Sequence, residues 1–380
     1  MEKRVKPSSF HLQWHITERC NFNCRHCYRR DYERELSTKD LFLVLDQYIE
    51  LIRAWELDKY NRPRKLSISG GEPLLRGDIF ELLRKIKRNR ELFTSIVLMS
   101  NGSTITRVTA KRLKDYAISA VQISLEGTEN VNDNIRGKGS FEKALKGVEN
   151  LMNAGIPVGV SITVSKENHA DVENLIDLLV EKGVKYIGVS RYVPMGNDST
   201  IRILEPRELR DFFFRIMKER RELLGRNVYL STHCSDSLWF IEDENHETHG
   251  CSAGYDSFSI LPNGDVVPCR RLPIKVGNVL EKTLMDMWYT SDFLWKLRDK
   301  GNIKKCNQCE LFRLCFGGAR CIAYGYFGDP FAPDPQCWKL FRSLPDKSMN
   351  FETGAKKKVL NEAYLRRFKA QRYFEHMVNV

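Results

Sequence analysis

Three cysteines near the N-terminus stand in the run Cys20-Asn21-Phe22-Asn23-Cys24-Arg25-His26-Cys27. Thiolates at spacings of four and three let a single loop hold three corners of a cubane iron–sulfur cluster. The fourth iron then lacks a cysteine, and an open iron suits a cluster that does chemistry rather than one that only staples a fold. Zinc is the rival occupant. Structural zinc takes four ligands, so His26 or His15 would have to complete that set. Further on lies Ser69-Gly70-Gly71-Glu72-Pro73. Two glycines let a ligand approach the backbone closely, and Glu72 could take an ammonium group. Taken alone, Gly-Gly-Glu-Pro is an ordinary turn; beside the three cysteines it is far more specific.

The chain has 11 cysteines, and none falls between Cys27 and Cys234. The later ones are Cys234, Cys251, Cys269, Cys306, Cys309, Cys315, Cys321 and Cys337. Two groups separated by a cysteine-free stretch point to two metal-binding regions, and disulfides fit a cytosolic chain poorly. Cys306-x2-Cys309-x5-Cys315 is a tight thiolate set that a zinc ribbon could also use. Cys234 has three readings: a fourth ligand, a buried thiol, or a group acting on substrate. His246 and His249 lie in a run of charged and polar residues and read as solvated loop histidines.

The elements that must position these residues follow from periodicity. Strands are predicted at Phe10–Ile16, Lys65–Ser69, Ser95–Ser100, Ala120–Leu125, Pro157–Val164 and Lys185–Ser190. Helical patterns lie between them at about 37–56, 77–90, 106–116, 139–154 and 171–182. Leu41, Val44, Leu45, Tyr48, Ile49 and Ile52 mark one apolar face at three-and-four spacing. Strand–helix repeats imply an α/β fold with a parallel sheet and helices outside. Six units are too few for a closed eight-strand barrel, so a curved, open barrel is expected. Its ligands belong at the C-terminal strand ends, where the first cysteines also fall. After about 195 the character changes. A helix is predicted at 206–224 and a β-hairpin at Phe258–Val267 around Asn263-Gly264. Another helix covers about 283–299. The stretch 301–337 is rich in Cys, Gly and Pro, and bound metal would supply its missing stability.

Composition sets the outer bounds. With 380 residues, 42% hydrophobic and 29% charged, the chain fits a globular enzyme and not a disordered segment. No apolar run is long enough for a membrane span, and no secretory signal is visible, so cytoplasm is the default. The net charge of +12 includes seven Lys/Arg against two Glu in 356–380. Such charge suits an acidic electron carrier such as ferredoxin or flavodoxin; nucleic acid is the weaker reading, and a plain solvated surface the bland one.

Cys20-x3-Cys24-x2-Cys27 followed by Gly70-Gly71-Glu72-Pro73 resembles the radical S-adenosylmethionine (SAM) superfamily over about 10–190. The resemblance implies a partial (β/α)6 barrel and SAM bound to the open iron of a [4Fe-4S] cluster through its amino and carboxylate groups. Reductive cleavage would then give a 5′-deoxyadenosyl radical that takes hydrogen from substrate. It further implies Asn101 beside the ribose, Ser124, Glu126 and Arg136 at the SAM carboxylate end, and His26 near adenine. A guanidinium fork suits a carboxylate; the bland reading of Arg136 is a surface arginine. Residues 250–338 are similar to SPASM/Twitch extensions with auxiliary [4Fe-4S] clusters. By that likeness Cys251, Cys269 and Cys321 hold one cluster, and Cys306, Cys309, Cys315 and Cys337 the other. The usual spacing would put a ligand at Ala319, where this chain has none. The division expected is a core over 1–200, a helical linker over 201–249, the auxiliary domain over 250–342 and a basic extension over 343–380. The function implied is a maturase acting on a peptide or protein. The alternative is an enzyme of cofactor synthesis, working on haem side chains or a tungsten or molybdenum cofactor. A non-catalytic metal or nucleic-acid binder is the remote third.

Overall fold

The computed structural model describes residues 6–29, 34–196, 198, 200–232, 250–349 and 351. Cys234, His246, His249 and the basic run from 352 onward lie outside the described residues.

Seven parallel strands joined by six helical crossovers build the core. The strands are β1 (Phe10–His15), β2 (Arg64–Ser69), β3 (Ser95–Ser100), β4 (Ala120–Ser124), β5 (Val158–Val164), β6 (Tyr186–Arg191) and β7 (Tyr229–Ser231). They pair in that order, all parallel. On the other side of β1 sits β8 (Ser257–Ile260), also parallel, followed by antiparallel β9 (Asp265–Val267) and β10 (Gly277–Asn278). The helices between strands are α1 (Thr38–Ala54), α2 (Ile79–Lys87), α3 (Arg107–Lys114), α4 (Glu129–Arg136), α5 (Ser140–Asn153), α6 (Val172–Glu181) and α7 (Pro206–Leu224).

Local chemistry explains the helices. Ser37 caps α1, its side chain accepting from the Asp40 amide while Asp40 reaches back to the cap, so two orphan donors are satisfied. Leu41, Val44, Leu45, Tyr48 and Ile52 then bury the predicted face. Each such side chain contributes about 1.5–3 kcal/mol by leaving water.

Three features depart from the sequence reading. Residues 206–231 are not a linker outside the sheet, because α7 and β7 add one more helix–strand unit beside β6. The helix expected over 283–299 is two, α8 (Leu284–Thr290) and α9 (Asp292–Arg298), broken where the Ser291 side chain accepts from the Leu294 amide. The short α4 was hidden between the fourth strand and α5. Its polar sequence, Glu-Asn-Val-Asn-Asp-Asn-Ile-Arg, lacks a strong apolar stripe.

The cysteine-rich lobe is joined to the core by packing and by one buried ion pair. Phe10 of β1 meets Tyr48, Trp55, Phe258 and Trp288 at ring-centroid distances of 5.9, 5.2, 5.7 and 5.5 Å. Trp288 comes from α8, so β1, α1, β8 and the lobe share one aromatic core. At the end of β6, Arg191 donates to Asp334 at 3.1 and 2.8 Å and to Gln336 at 3.0 Å. Burial opposes ionisation of Asp334, yet Arg191 holds its carboxyl below the usual carboxylate range. Arg191→Met should therefore strand a buried carboxylate and cost about 3–5 kcal/mol. The loss reads out as a lower thermal transition at neutral pH. The sign with pH is set by the depressed pKa: the pair stabilises above the ordinary carboxylate range and loses its effect as Asp334 protonates in acid. The gap between wild type and variant should thus close as pH is lowered through and below about 4.

Candidate active site

The thiol loop runs from the end of β1 to the start of α1, and a single guanidinium holds both its ends. Arg76 donates to the Ile16 carbonyl and to the Leu36 carbonyl, each at 2.7 Å, and pairs with Asp78 at 2.7 Å. Glu35 closes the inner side by accepting from Thr17 Oγ1 and the Glu18 amide, both at 2.8 Å. From the β2 side, the Gly71 amide donates to the Thr17 carbonyl and the Glu72 amide to the Arg19 carbonyl, both at 2.7 Å. A Cβ at Gly70 would lie 2.4 Å from the Thr17 carbonyl oxygen, and one at Gly71 would lie 2.3 Å from that of Arg19. These glycines are needed for contact with the thiol loop itself, whereas the sequence suggested room for a ligand.

Glu72 also differs from its expected role as an ammonium acceptor. Its carboxylate is fully buried and accepts from Ser100 Oγ at 3.0 Å and from the Asn101 amide at 2.7 Å. It caps the short turn Pro73–Leu75 by accepting from Leu74. Glu72 and buried Pro73 thus tie the β2 loop to the β3 loop from beneath.

Above these loops opens a cavity at the C-terminal strand ends. Its wall brings together Cys20, Cys24, Cys27, His26, Gly70, Gly71, Asn101, Ser124, Glu126 and Arg136. Asn101 sits at the thiol loop, with its side-chain amide 2.9 Å from Asn21 Oδ1 and 3.8 Å from Cys20 Sγ. Burial pushes the Cys24 thiol up to about 11 and the Cys27 thiol up as well. Dehydrated thiols of this kind are suited to a strongly cationic partner, since iron takes them as thiolates.

Glu126 is the hub of the far wall. It accepts from Arg136 at 2.7 Å and from the Thr163 amide at 2.6 Å, and His26 Nε2 lies 3.3 Å away. Burial opposes its charge, but His26 and Arg136 outweigh that and keep its carboxyl below the usual range. Arg136 is 8% exposed, so the surface reading is wrong; its ion-pair partner is Glu126. His26 Nδ1 is buried and has no hydrogen-bond partner.

Apart from His15, which the sequence offered only as a zinc ligand, the sequence reading passed over these further residues of the wall. His15, Gln122, Thr163, Ser190 and Arg191 reach it from strand ends, and Arg270, Arg271 and Pro273 reach it from the lobe. The strand-end set was findable as polar residues closing apolar strands. The lobe's arginines carried no such signal.

In the lobe, Cys251, Cys269 and Cys321 pack in one apolar cluster with Ala319, Leu272 and Leu297. Cys321 sits in α11 (Arg320–Phe327), one turn inside the cluster, with Ala319 as the helix cap. Cys315 closes α10 (Phe312–Cys315), and the charges of Cys315, Cys337 and Cys309 all bear on Cys306. Burial pushes Cys315 up to about 11, Cys337 up to about 12 and Cys306 higher still. No disulfide joins the ten described cysteines. Among the described residues no three Cys, His, Asp or Glu side chains are placed to hold a metal ion.

Comparison with known proteins agrees with this geometry. The family model of the radical SAM superfamily matches residues 14–179, and that of an iron–sulfur cluster-binding domain, SPASM, matches 251–310. An AdoMet-dependent heme synthase of Methanosarcina barkeri is 28% identical over 86% of this chain and 95% of its own. The mycofactocin maturase MftC of Mycolicibacterium smegmatis is 30% identical over 86% of this chain and 82% of its own. The crystal structure of Streptococcus suis SuiB bound to precursor peptide SuiA shares the fold, with a TM-score of 0.66 at 20% identity over 87% of this chain and 76% of that one. The chain belongs to the radical SAM superfamily and is an enzyme of its SPASM-bearing branch. Its cofactors are those of these families, [4Fe-4S] clusters and SAM.

Arg76→Met should loosen both ends of the thiol loop. It removes hydrogen bonds from two buried carbonyls at a cost of about 1–3 kcal/mol each. Iron per reconstituted chain should fall by about four, the content of one cubane, with the auxiliary iron retained. Iron analysis with an unchanged count would refute the clamp.

Proposed function

We propose that the thiol loop carries the SAM-binding cluster and that the chain is a maturase modifying a peptide or protein side chain. The observation that carries this reading is the single cavity in which Cys20, Cys24 and Cys27 face the Glu126–Arg136–His26 wall. In that cavity Gly70, Gly71 and Asn101 offer backbone and amide groups to the amino acid and ribose ends of SAM. Ser124 and Arg136 stand on the opposite wall for its carboxylate, and His26 beside them for adenine. Held at Cys20, Cys24 and Cys27, a reduced cluster with SAM would supply radical hydrogen abstraction from substrate. What the chain's own residues add is orientation, exclusion of water and a fixed charge pattern around that event. Relatedness to a maturase and the shared fold of a peptide-bound enzyme support the peptide.

A second reading is favoured by one observation. The chain spans 95% of a heme synthase, so a tetrapyrrole side chain is the alternative substrate. For the lobe we infer one auxiliary cluster at Cys251, Cys269 and Cys321 and another at Cys306, Cys309, Cys315 and Cys337. The core is assigned to 1–232, with α7 and β7 included, the auxiliary domain to 250–342 and a basic extension to 343–380. The excess of basic residues supports an acidic electron donor of the ferredoxin or flavodoxin kind, and cysteines grouped as metal ligands support the cytoplasm. No described helix is long and apolar enough to cross a membrane.

Anaerobic reconstitution tests the reading. With SAM and dithionite the protein should release 5′-deoxyadenosine, and Cys24→Ala should abolish it. Absence of that product from the iron-loaded wild type would leave only a metal binder. Adding precursor peptides or iron porphyrins in parallel separates the two substrate readings, since the true substrate raises the yield.

Iron should total about twelve per chain, and Cys306→Ala should remove about four without ending SAM cleavage. A wild-type count near four, with zinc present, would overturn the two auxiliary clusters.

A further inference from the structure

Resting on the reading just given, we propose that Arg270 and His15 anchor a carboxylate of the substrate inside the radical cavity. The arginines of the wall are not equivalent. Arg136 is matched by Glu126 and Arg191 by Asp334. Arg270 has no such match. Its guanidinium touches the Met99 sulfur at 3.7 Å and lies 6.0 Å from the centre of the Tyr28 ring, and no described carboxylate reaches it. Its backbone is held, because the Arg270 amide donates to Ser259 Oγ at 2.8 Å. A positioned, half-buried guanidinium without a counter-charge is a fork waiting for an anion.

A second group faces the same space. His15 closes β1, is 5% exposed and lines the cavity, and its Nε2 has no partner. Burial first, and the Arg270 charge second, push its pKa down to about 3, so the ring is neutral and can give one N–H to an acceptor. A buried polar atom left unpaired in the free protein is satisfied when a ligand arrives. Arg270 and His15 come from neighbouring elements distant in sequence, the lobe and the first strand, which pair through β8 and β1. A carboxylate held between them would fix the substrate against both.

Two sources share this chemistry: a propionate of a tetrapyrrole, or an acidic side chain of a peptide. A competing account makes Arg270 only a counter-charge for a cluster at neighbouring Cys269. The test uses full-length, iron-loaded protein with SAM and no reductant. One arm titrates iron coproporphyrin as the free tetra-acid and as the tetramethyl ester, read by the Soret band. The other titrates a labelled (Ala-Glu-Ala)3 amide and its Gln counterpart, read by anisotropy. We expect the wild type to prefer the acid in one arm by about 10- to 100-fold, as loss of a charge-assisted pair implies. Arg270→Ala should erase that preference and Arg270→Lys should keep part of it; the responding arm identifies the source. Equal binding of acid and neutral forms by the wild type in both arms, or no binding at all, overturns the proposal without use of any variant. So does an Arg270→Ala protein that keeps the preference, or that changes only iron content or the cluster's EPR signal. Release of 5′-deoxyadenosine by the wild type is measured separately, so loss of the anchor and loss of the radical SAM assignment give different results.

Discussion

Everything in the core depends on how closely two backbones approach one another. Gly70 and Gly71 press against the carbonyls of Thr17 and Arg19, at distances that leave no space for a side chain. That contact, with the two amide-to-carbonyl bonds beside it, fixes the first residues of the thiol loop relative to the end of β2. Glu72 passes the constraint on to β3 through Ser100 and Asn101. Arg76 then fixes the far end of the same loop. Three strand ends and one loop therefore move as a unit, which is what a cluster site needs if its open corner is to face a chosen point.

The opposite wall obeys a different economy. Glu126 and Arg136 are both buried, and burying two ions is expensive even when they pair. Apolar residues of like volume would stabilise as well or better. The arrangement makes sense as positioning. Glu126 joins the ends of β4 and β5 through the Thr163 amide, steadies α4 through Arg136 and meets the thiol loop through His26. One carboxylate thus sets the distance between the two walls of the cavity.

Much of this was legible in the sequence, for physical reasons. Strand and helix periods in 10–190 are strong because both faces of a parallel sheet are buried. The cysteines just after the first strand marked the C-terminal strand ends as the place of the cavity. What escaped was set by three-dimensional partnership. The family resemblance implied a shared site for Ser124 and Arg136 but not that Glu126 would take the guanidinium. Gly70-Gly71 announced a close approach but not that the visitor would be the chain's own backbone. Arg76 looks like any other basic residue before α2, and only its two distant carbonyl partners give it meaning. α7 and β7 read as a linker because β7 is three residues long and its partner, β6, had already been counted as the last strand.

The lobe's place in the sheet bears on what its cysteines can do. β8 pairs with β1, the strand that leads into the thiol loop, and Trp288 packs against Phe10 of that strand. Cys269 then follows β9 directly, and Arg270, Arg271 and Pro273 reach the cavity from the next turn. The metal-binding lobe is thus an extension of the barrel's own sheet, and it supplies one wall of the cavity. Any group held at Cys251, Cys269 and Cys321 would sit directly behind that wall. The covalent path from such a group to the cavity is a single residue long, from Cys269 to Arg270. The pairing of β8 with β1 makes the lobe part of the same sheet that carries the cavity.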